Sequence, residues 1–237
     1  MEIYADAARE GAQLLSSGGL DVWGIVITSL RVSLSAVFIA LFLGIPAGYL
    51  LGTTRSFGRR AGLVLANAGM GLPPVVVGLV VAMSLSRRGP LGDLGLLYSR
   101  PAMIIAQIII AIPLIVAVTA AAVSSVPREL RLQARSLGAS AAHEAWLTVR
   151  EARMGLVAAV AAGFGAIISE VGAVMMVGGN LAGDTRVMTT AIVQYTRMGR
   201  YGAALALGIV LLLLILLVNV ALTGMQTSAD RWEGGAR

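Results

Sequence analysis

From Ala203 to Met225 the chain reads AALALGIVLLLLILLVNVALTGM, without one ionisable side chain. A helix that crosses a bilayer needs about 20 mostly apolar residues, and it must satisfy its own backbone hydrogen bonds because hydrocarbon offers none. Such a run points to lipid as the solvent of this chain. Four more apolar stretches, roughly 24–51, 62–85, 101–123 and 155–177, fit the same template, so about five transmembrane helices are expected. Composition agrees. Charged residues make up only 13% of the 237 positions, against about 25% in a soluble domain, and mean hydropathy is +0.86. Twenty-nine glycines suit close helix packing in lipid.

Other chemistries are excluded by what is missing. There is no cysteine, so disulfides, thiolate metal sites and thiol catalysis are out. The single histidine, His143, begins a metalloprotease-like His-Glu pair, but Leu147 stands where the second histidine would be. No aspartate lies in a span, and neither a nucleophile-elbow nor a phosphate-loop motif is present. The chain is therefore not expected to be an enzyme or to hydrolyse ATP itself. A net charge of +6 in such a chain belongs to basic loops at the membrane, and no nucleic-acid partner is expected. Residues 2–16 carry acidic side chains and no apolar core. They are read as a short surface helix and not a signal peptide.

The loops after the first and third spans, with the C-terminal tail, hold more arginines than the opposite side. That bias puts them in the cytoplasm, the N-terminus outside and the C-terminus inside. The loop after the third span, RELRLQARSLGASAAHEAWLTVRE (128–151), is the most charged part of the chain. Read as a helix, Leu130, Ala134 and Leu137 form an apolar stripe, and Arg128, Arg131 and Arg135 a basic one. Gly138 is the expected helix terminator and Ser140 the N-cap of a second helix carrying Trp146 and Leu147. The pattern predicts a helix–Gly–helix elbow over 128–150. By pattern alone it is either a loop lying on lipid headgroups or the seat of a soluble partner.

The run ARSLGAS resembles the cytoplasmic coupling motif of importer-type ABC-transporter permeases: Glu-Ala-Ala, three residues, Gly, nine residues, Ile-x-Leu-Pro. Ala134 and Gly138 match. Leu132 and Gln133 depart, as do Thr148, Val149, Arg150 and Glu151 in the second half. Downstream, AAVAAGFGAIISEVGAVMMVGGNLAGDTRVMTTAIVQYTRMG, with GLPPVVVGLVVAM and RRGPLGDLGLLYS, is similar to tungstate-type permeases, relatives of the molybdate permeases, in which departures from Ile-x-Leu-Pro are expected. The resemblance runs from about residue 24 to 222. It implies one permease domain over 1–237 with the type I importer fold: an all-α membrane protein of about five spans with a cytoplasmic coupling elbow and an extracytoplasmic gate helix. It implies the membrane-spanning subunit of an ATP-driven oxyanion importer in the inner membrane, most simply for tungstate, with molybdate, sulfate or another anion as alternatives and a non-transport scaffold as a remote one. The implied partners are a second copy of the chain, a dimer of ATP-binding cassette subunits that carry ATP and Mg, and an extracytoplasmic binding protein. Leu130, Ala134, Arg135, Leu137, Gly138, Ser140 and Trp146 would meet the ATPase.

On this reading the gate or translocation path draws on Arg31, Pro73, Pro74, Glu170, Asn180 and Arg186. Pro73-Pro74 would break the second span, or else only kink it for packing. Arg31 and Glu170 are ionisable groups inside spans at similar depth, so a pair between them is geometrically possible. Arg31 would otherwise snorkel to headgroups, and Glu170 would serve as a gate or a hydrogen-bonded structural carboxylate. After the fourth span, Asp184 or Thr185 is the expected cap of a short helix with Val187, Met188, Ala191, Ile192 and Tyr195 on one face. That helix is a gate or a brace, and its N-terminus beside Arg186 could attract an anion.

Overall fold

The structure, a computed structural model, describes residues 2–17, 21–54 and 57–234. Helix α1 (Glu2–Ser17) packs on the first turns of α11 (Tyr201–Gly234), where Gly11 approaches the Gly202 carbonyl so closely that an added Cβ would sit 3.0 Å from its oxygen. The expected surface helix is thus docked on the bundle, with Leu14 and Leu15 reaching its core.

Helices α2 (Val22–Thr53), α5 (Arg100–Ser124) and the Tyr201–Gly224 part of α11 are each long and apolar enough to cross a membrane. They correspond to the first, third and fifth expected spans. The second is broken, the sharper of the two outcomes that Pro73-Pro74 left open. Helix α3 (Phe57–Met70) and helix α4 (Pro74–Leu85) meet at 99° across Gly71, Leu72 and Pro73. Pro73 has no N–H to continue α3, while Pro74 at the first position of α4 costs nothing because that N–H would be orphaned anyway.

The fourth expected span is corrected. Residues 155–177 are not one helix but α8 (Arg153–Ile168) and α9 (Gly172–Gly178), separated at 169–171. Ser169 Oγ folds back on the Gly165 carbonyl, and the Glu170 carboxylate accepts from Ala173 N–H at 3.0 Å, which starts a new helix. Hydropathy is blind to this because all the flanking residues remain apolar.

Among the described residues the core has two large lobes and a small cluster at the base of the elbow. Val26, Ala40, Ile115, Phe164, Met188 and Leu207 join α2, α5, α8 and α11 with the short helix α10 (Met188–Arg197). Val81, Met103, Ala106, Val174 and Val177 join α4, α5 and α9. The central α2–α5 contact is built on Gly44, Gly48 and Gly52, one turn apart on a single face, against Ile115, Thr119 and Val123. Outward-facing Phe38, Phe42, Leu213 and Leu217 are exposed, as lipid-facing residues are.

Candidate functional site

The elbow forms as the pattern predicts. Helix α6 (Arg128–Ser136) ends at Leu137, Gly138 takes φ +85°, and helix α7 (Ala141–Glu151) begins with Ser140 Oγ accepting from His143 N–H. A side chain at position 138 would be strained at that angle, which is why glycine sits there. Between the two helices lies an open groove of about 630 Å³. Leu130, Ala134, Leu137, Gly138 and Ser140 line it, while Arg135 and Trp146 stand outside it. Leu137 is 88% exposed and Trp146 54%, each with apolar surface that the rest of the chain leaves uncovered. Trp146 is flanked by His143, with ring centroids 5.7 Å apart, and by the Arg150 guanidinium at 5.3 Å.

Glu144 is the residue that sequence reasoning passed over, except as a failed protease motif. Its side chain is 5% exposed. Arg131 Nε donates to its Oε1 at 3.0 Å and Arg135 Nε to its Oε2. So two members of the basic stripe turn inward, although 62% of the Arg135 side chain still meets solvent. The Arg135 hydrogen bond, aided by Arg131, holds the Glu144 carboxyl below the usual carboxylate range against burial, which pushes it up. A lowered folded value means that the stabilisation is fully present above the ordinary carboxylate range and is lost as pH falls through the lowered value. The melting temperature of the purified chain should therefore exceed that of Glu144→Gln at neutral pH, with the gap holding down to the ordinary carboxylate range and closing as the pH falls below it, through the lowered value. A gap that is constant across that range would contradict the assignment.

The candidate path residues gather only in part. Pro74 and Glu170 line a cavity of about 200 Å³ where the two helix breaks face each other. Gly78 of α4 meets Ala173 of α9 beside it, with an added Cβ falling 2.6 Å from the Ala173 Cα. Gln107, a lone amide in the third span that the sequence reading missed, donates to the Ile167 carbonyl at the end of α8, and its Oε1 is buried without a partner. Arg31 lies apart, on the exposed face of α2. The described residues show no Arg31–Glu170 ion pair, because the Glu170 carboxylate is turned to the first turn of α9.

Beyond α9, Asn180 adopts φ +54°. Its amide donates to Gln194 Oε1 at 2.6 Å and its Oδ1 accepts from Thr190 at 2.8 Å. The expected cap of α10 is corrected: Asp184 pairs with Arg100 at 3.0 Å, Thr185 donates back to the Gly178 carbonyl, and Thr190 closes the helix start on Val187 N–H. Met188 N–H is held by Ser29 Oγ of α2 at 2.7 Å. Helix α10 is thus pinned between α2 and α11, which suits a brace. Arg186 stacks on Tyr195 at 5.9 Å, and its Nε is buried without a hydrogen-bond partner.

Broken spans around a small, mainly apolar cavity that carries the Glu170 carboxylate, with a helix–Gly–helix elbow at the end of the bundle, suit a multi-pass membrane permease subunit. Residues 44–231 match the family of binding-protein-dependent transport system inner membrane components, and the chain belongs to that family. It is 44% identical over 82% of its length to a probable anion ABC transporter permease protein of Haloferax volcanii, covering 86% of that protein. It is 40% identical over 95% of its length to the tungstate uptake system permease protein TupB of Peptoclostridium acidaminophilum, covering 99% of that relative. Its fold matches a chain of the MetNI methionine ABC transporter in an inward-facing conformation, with TM-score 0.72, 21% identity, and coverage of 88% of this chain and 95% of that one. Members of this family are multi-pass inner-membrane subunits. They work with separate ATPase subunits and a binding protein, and the ATP hydrolysis belongs to those ATPase subunits.

Proposed function

We propose that the chain forms the translocation path of an ATP-driven tungstate importer and works as a homodimer. The single observation that carries the anion is the near full-length identity to the tungstate permease. Cassette ATPase subunits, holding ATP and Mg, seat on the elbow groove, which is therefore cytoplasmic. The N-terminus is then extracytoplasmic, as is the braced Asn180–Arg186 hairpin, where a binding protein delivers the anion. Arg186, with its unpartnered Nε, supports an electrostatic lure at that face. Arg31, on the exposed side of α2, is a further basic group for that face.

Pro73-Pro74 and Glu170 form the gate region. Two helix breaks meeting at one cavity let short segments move without unwinding a whole span. A carboxylate is a poor ligand for a dianion, so its role lies in holding α9 closed rather than in selecting the anion. Glu170→Gln should raise basal ATP hydrolysis of the assembled complex several-fold while leaving the order of anion preference unchanged. A change in preference with intact coupling would overturn that role. The function itself is tested by uptake in vesicles containing the complex and its binding protein. Tungstate should be taken up in preference to molybdate and sulfate at equal concentration; equal or inverted preference moves the assignment to the broader anion class of the Haloferax relative.

A further inference from the structure

The two helices of the elbow share little apolar packing. Helix α6 buries no residue, and α7 buries only Glu144 and Thr148. The nearest apolar cluster, Val123, Val126 and Ala152 with Leu130 against it, joins the start of α6 and the C-terminal end of α7 to α5 at the base of the elbow, away from the Gly138 turn. The turn sets the path of the chain through Gly138 N–H and Ala139 N–H, which donate to the Arg135 and Ala134 carbonyls, but an added Cβ at Gly138 would meet nothing within 4 Å, so no packing braces it. What spans the angle between α6 and α7 is one buried carboxylate held by two guanidinium groups. Thr148 Oγ1 bonds the Glu144 carbonyl at 2.8 Å and Thr148 is itself fully buried, which anchors that stretch of α7.

We propose that Glu144 is the positioning residue of the elbow: by gripping Arg131 and Arg135 together it sets the angle between α6 and α7, and so the width of the groove, and makes the two helices move as one lever. The physical argument is electrostatic. With the carboxylate removed, α7 loses the one anion that ties it to α6, and two unpaired guanidinium groups one turn apart on α6 must leave the partly desolvated site for water, which frees the helices from each other. A glutamine keeps the size but supplies a donor where Arg131 or Arg135 needs an acceptor. The groove side chains survive, so the partner still seats, but the elbow rocks and part of the ATP-driven stroke is dissipated. This rests on the reading of the elbow as the ATPase seat given above.

The chain has no cysteine, so spin labels can be placed on its native sequence. Leu132→Cys and Ala142→Cys put one label on each elbow helix, both at exposed positions. Electron–electron distance measurements on the full-length permease should give one narrow distribution for the native elbow and a broader, longer one with Glu144→Gln. In the unlabelled complex, Glu144→Gln should retain the ATPase subunit yet raise ATP consumed per anion imported at least about fivefold, the low end of ordinary site-to-site coupling. Native distance and native stoichiometry in that variant would overturn the proposal. Should Glu144→Gln not accumulate, Arg135→Gln decides, because its exposed side chain can be changed without emptying the core. Intermediate broadening with partial uncoupling supports the lever, and native values overturn it. The seat reading fails separately, if Leu137→Asp keeps the ATPase bound, and the distance measurement does not depend on it.

Discussion

A Leu137→Asp permease is expected to reach the membrane in normal amounts, yet to lose its ATPase subunit on purification and to import no tungstate. Leu137 is 88% exposed and makes the lip of the elbow groove beside Gly138, so its replacement removes little from the fold of the chain itself. If the elbow is the proposed ATPase seat, that side chain is buried against the partner in the assembled complex. An aspartate there forfeits the apolar contact and leaves an unpaired charge in a desolvated interface, a loss of about 2 kcal/mol or more per hot-spot residue. An ATPase subunit retained through purification, with native uptake, would refute the seat.

Position 138 supplies the matching backbone test. Gly138→Pro cannot adopt φ +85° and deletes the N–H that donates to the Arg135 carbonyl at 3.0 Å, so the second helix is redirected and uptake is abolished. Gly138→Ala meets no neighbour within 4 Å and suffers only the left-handed strain of about 1–2 kcal/mol, so it should transport at a reduced but measurable rate. Equal rates for the two variants would show that the turn is not what matters.

The second large effect is expected inside the bundle. Gly48→Leu should prevent accumulation of folded permease. An added Cβ at Gly48 would fall 2.6 Å from Thr119 Cβ and 2.8 Å from the Val116 carbonyl oxygen, in the tightest contact between α2 and α5. The neighbours are backbone and a β-branched side chain, which cannot swing away. The helices must therefore separate, at a cost beyond the about 1–3 kcal/mol of ordinary overpacking. Gly208→Leu on α11, where nothing lies within 4 Å, is the control and should accumulate normally. Detergent-extracted yield and size-exclusion profile read both. Normal yield of Gly48→Leu would show that the stripe is not the packing seam.

How much of this was legible without coordinates depends on the range of the physics involved. The long apolar runs, the break at Pro73-Pro74, the Gly138 turn and the Ser140 cap were all readable, since each follows from a residue and its immediate neighbours. The division of α8 from α9 was not, because it depends on Glu170 choosing Ala173 N–H over a continued helix. The start of α10 was misjudged for a related reason. Asp184 and Thr185 had better partners in Arg100 and the Gly178 carbonyl, on segments distant in the chain or turned back on themselves. The Gly44–Gly48–Gly52 stripe was written in the sequence at helical spacing, and could have been found by asking which glycines share a face.

The amino-acid order alone determined that this chain lives in lipid, that about five apolar stretches could cross it, and that one charged elbow with a glycine turn interrupts the apolar bundle. Those conclusions rest on hydrophobic transfer and local backbone preference, which add up residue by residue. Only the tertiary structure decided that Arg131 and Arg135 are spent on Glu144, that Arg31 stands apart from Glu170, and that the two broken spans share one cavity. Ion pairing and hydrogen bonding act over a few ångströms between groups that the chain separates by many residues, so their partners are chosen by packing and not by pattern.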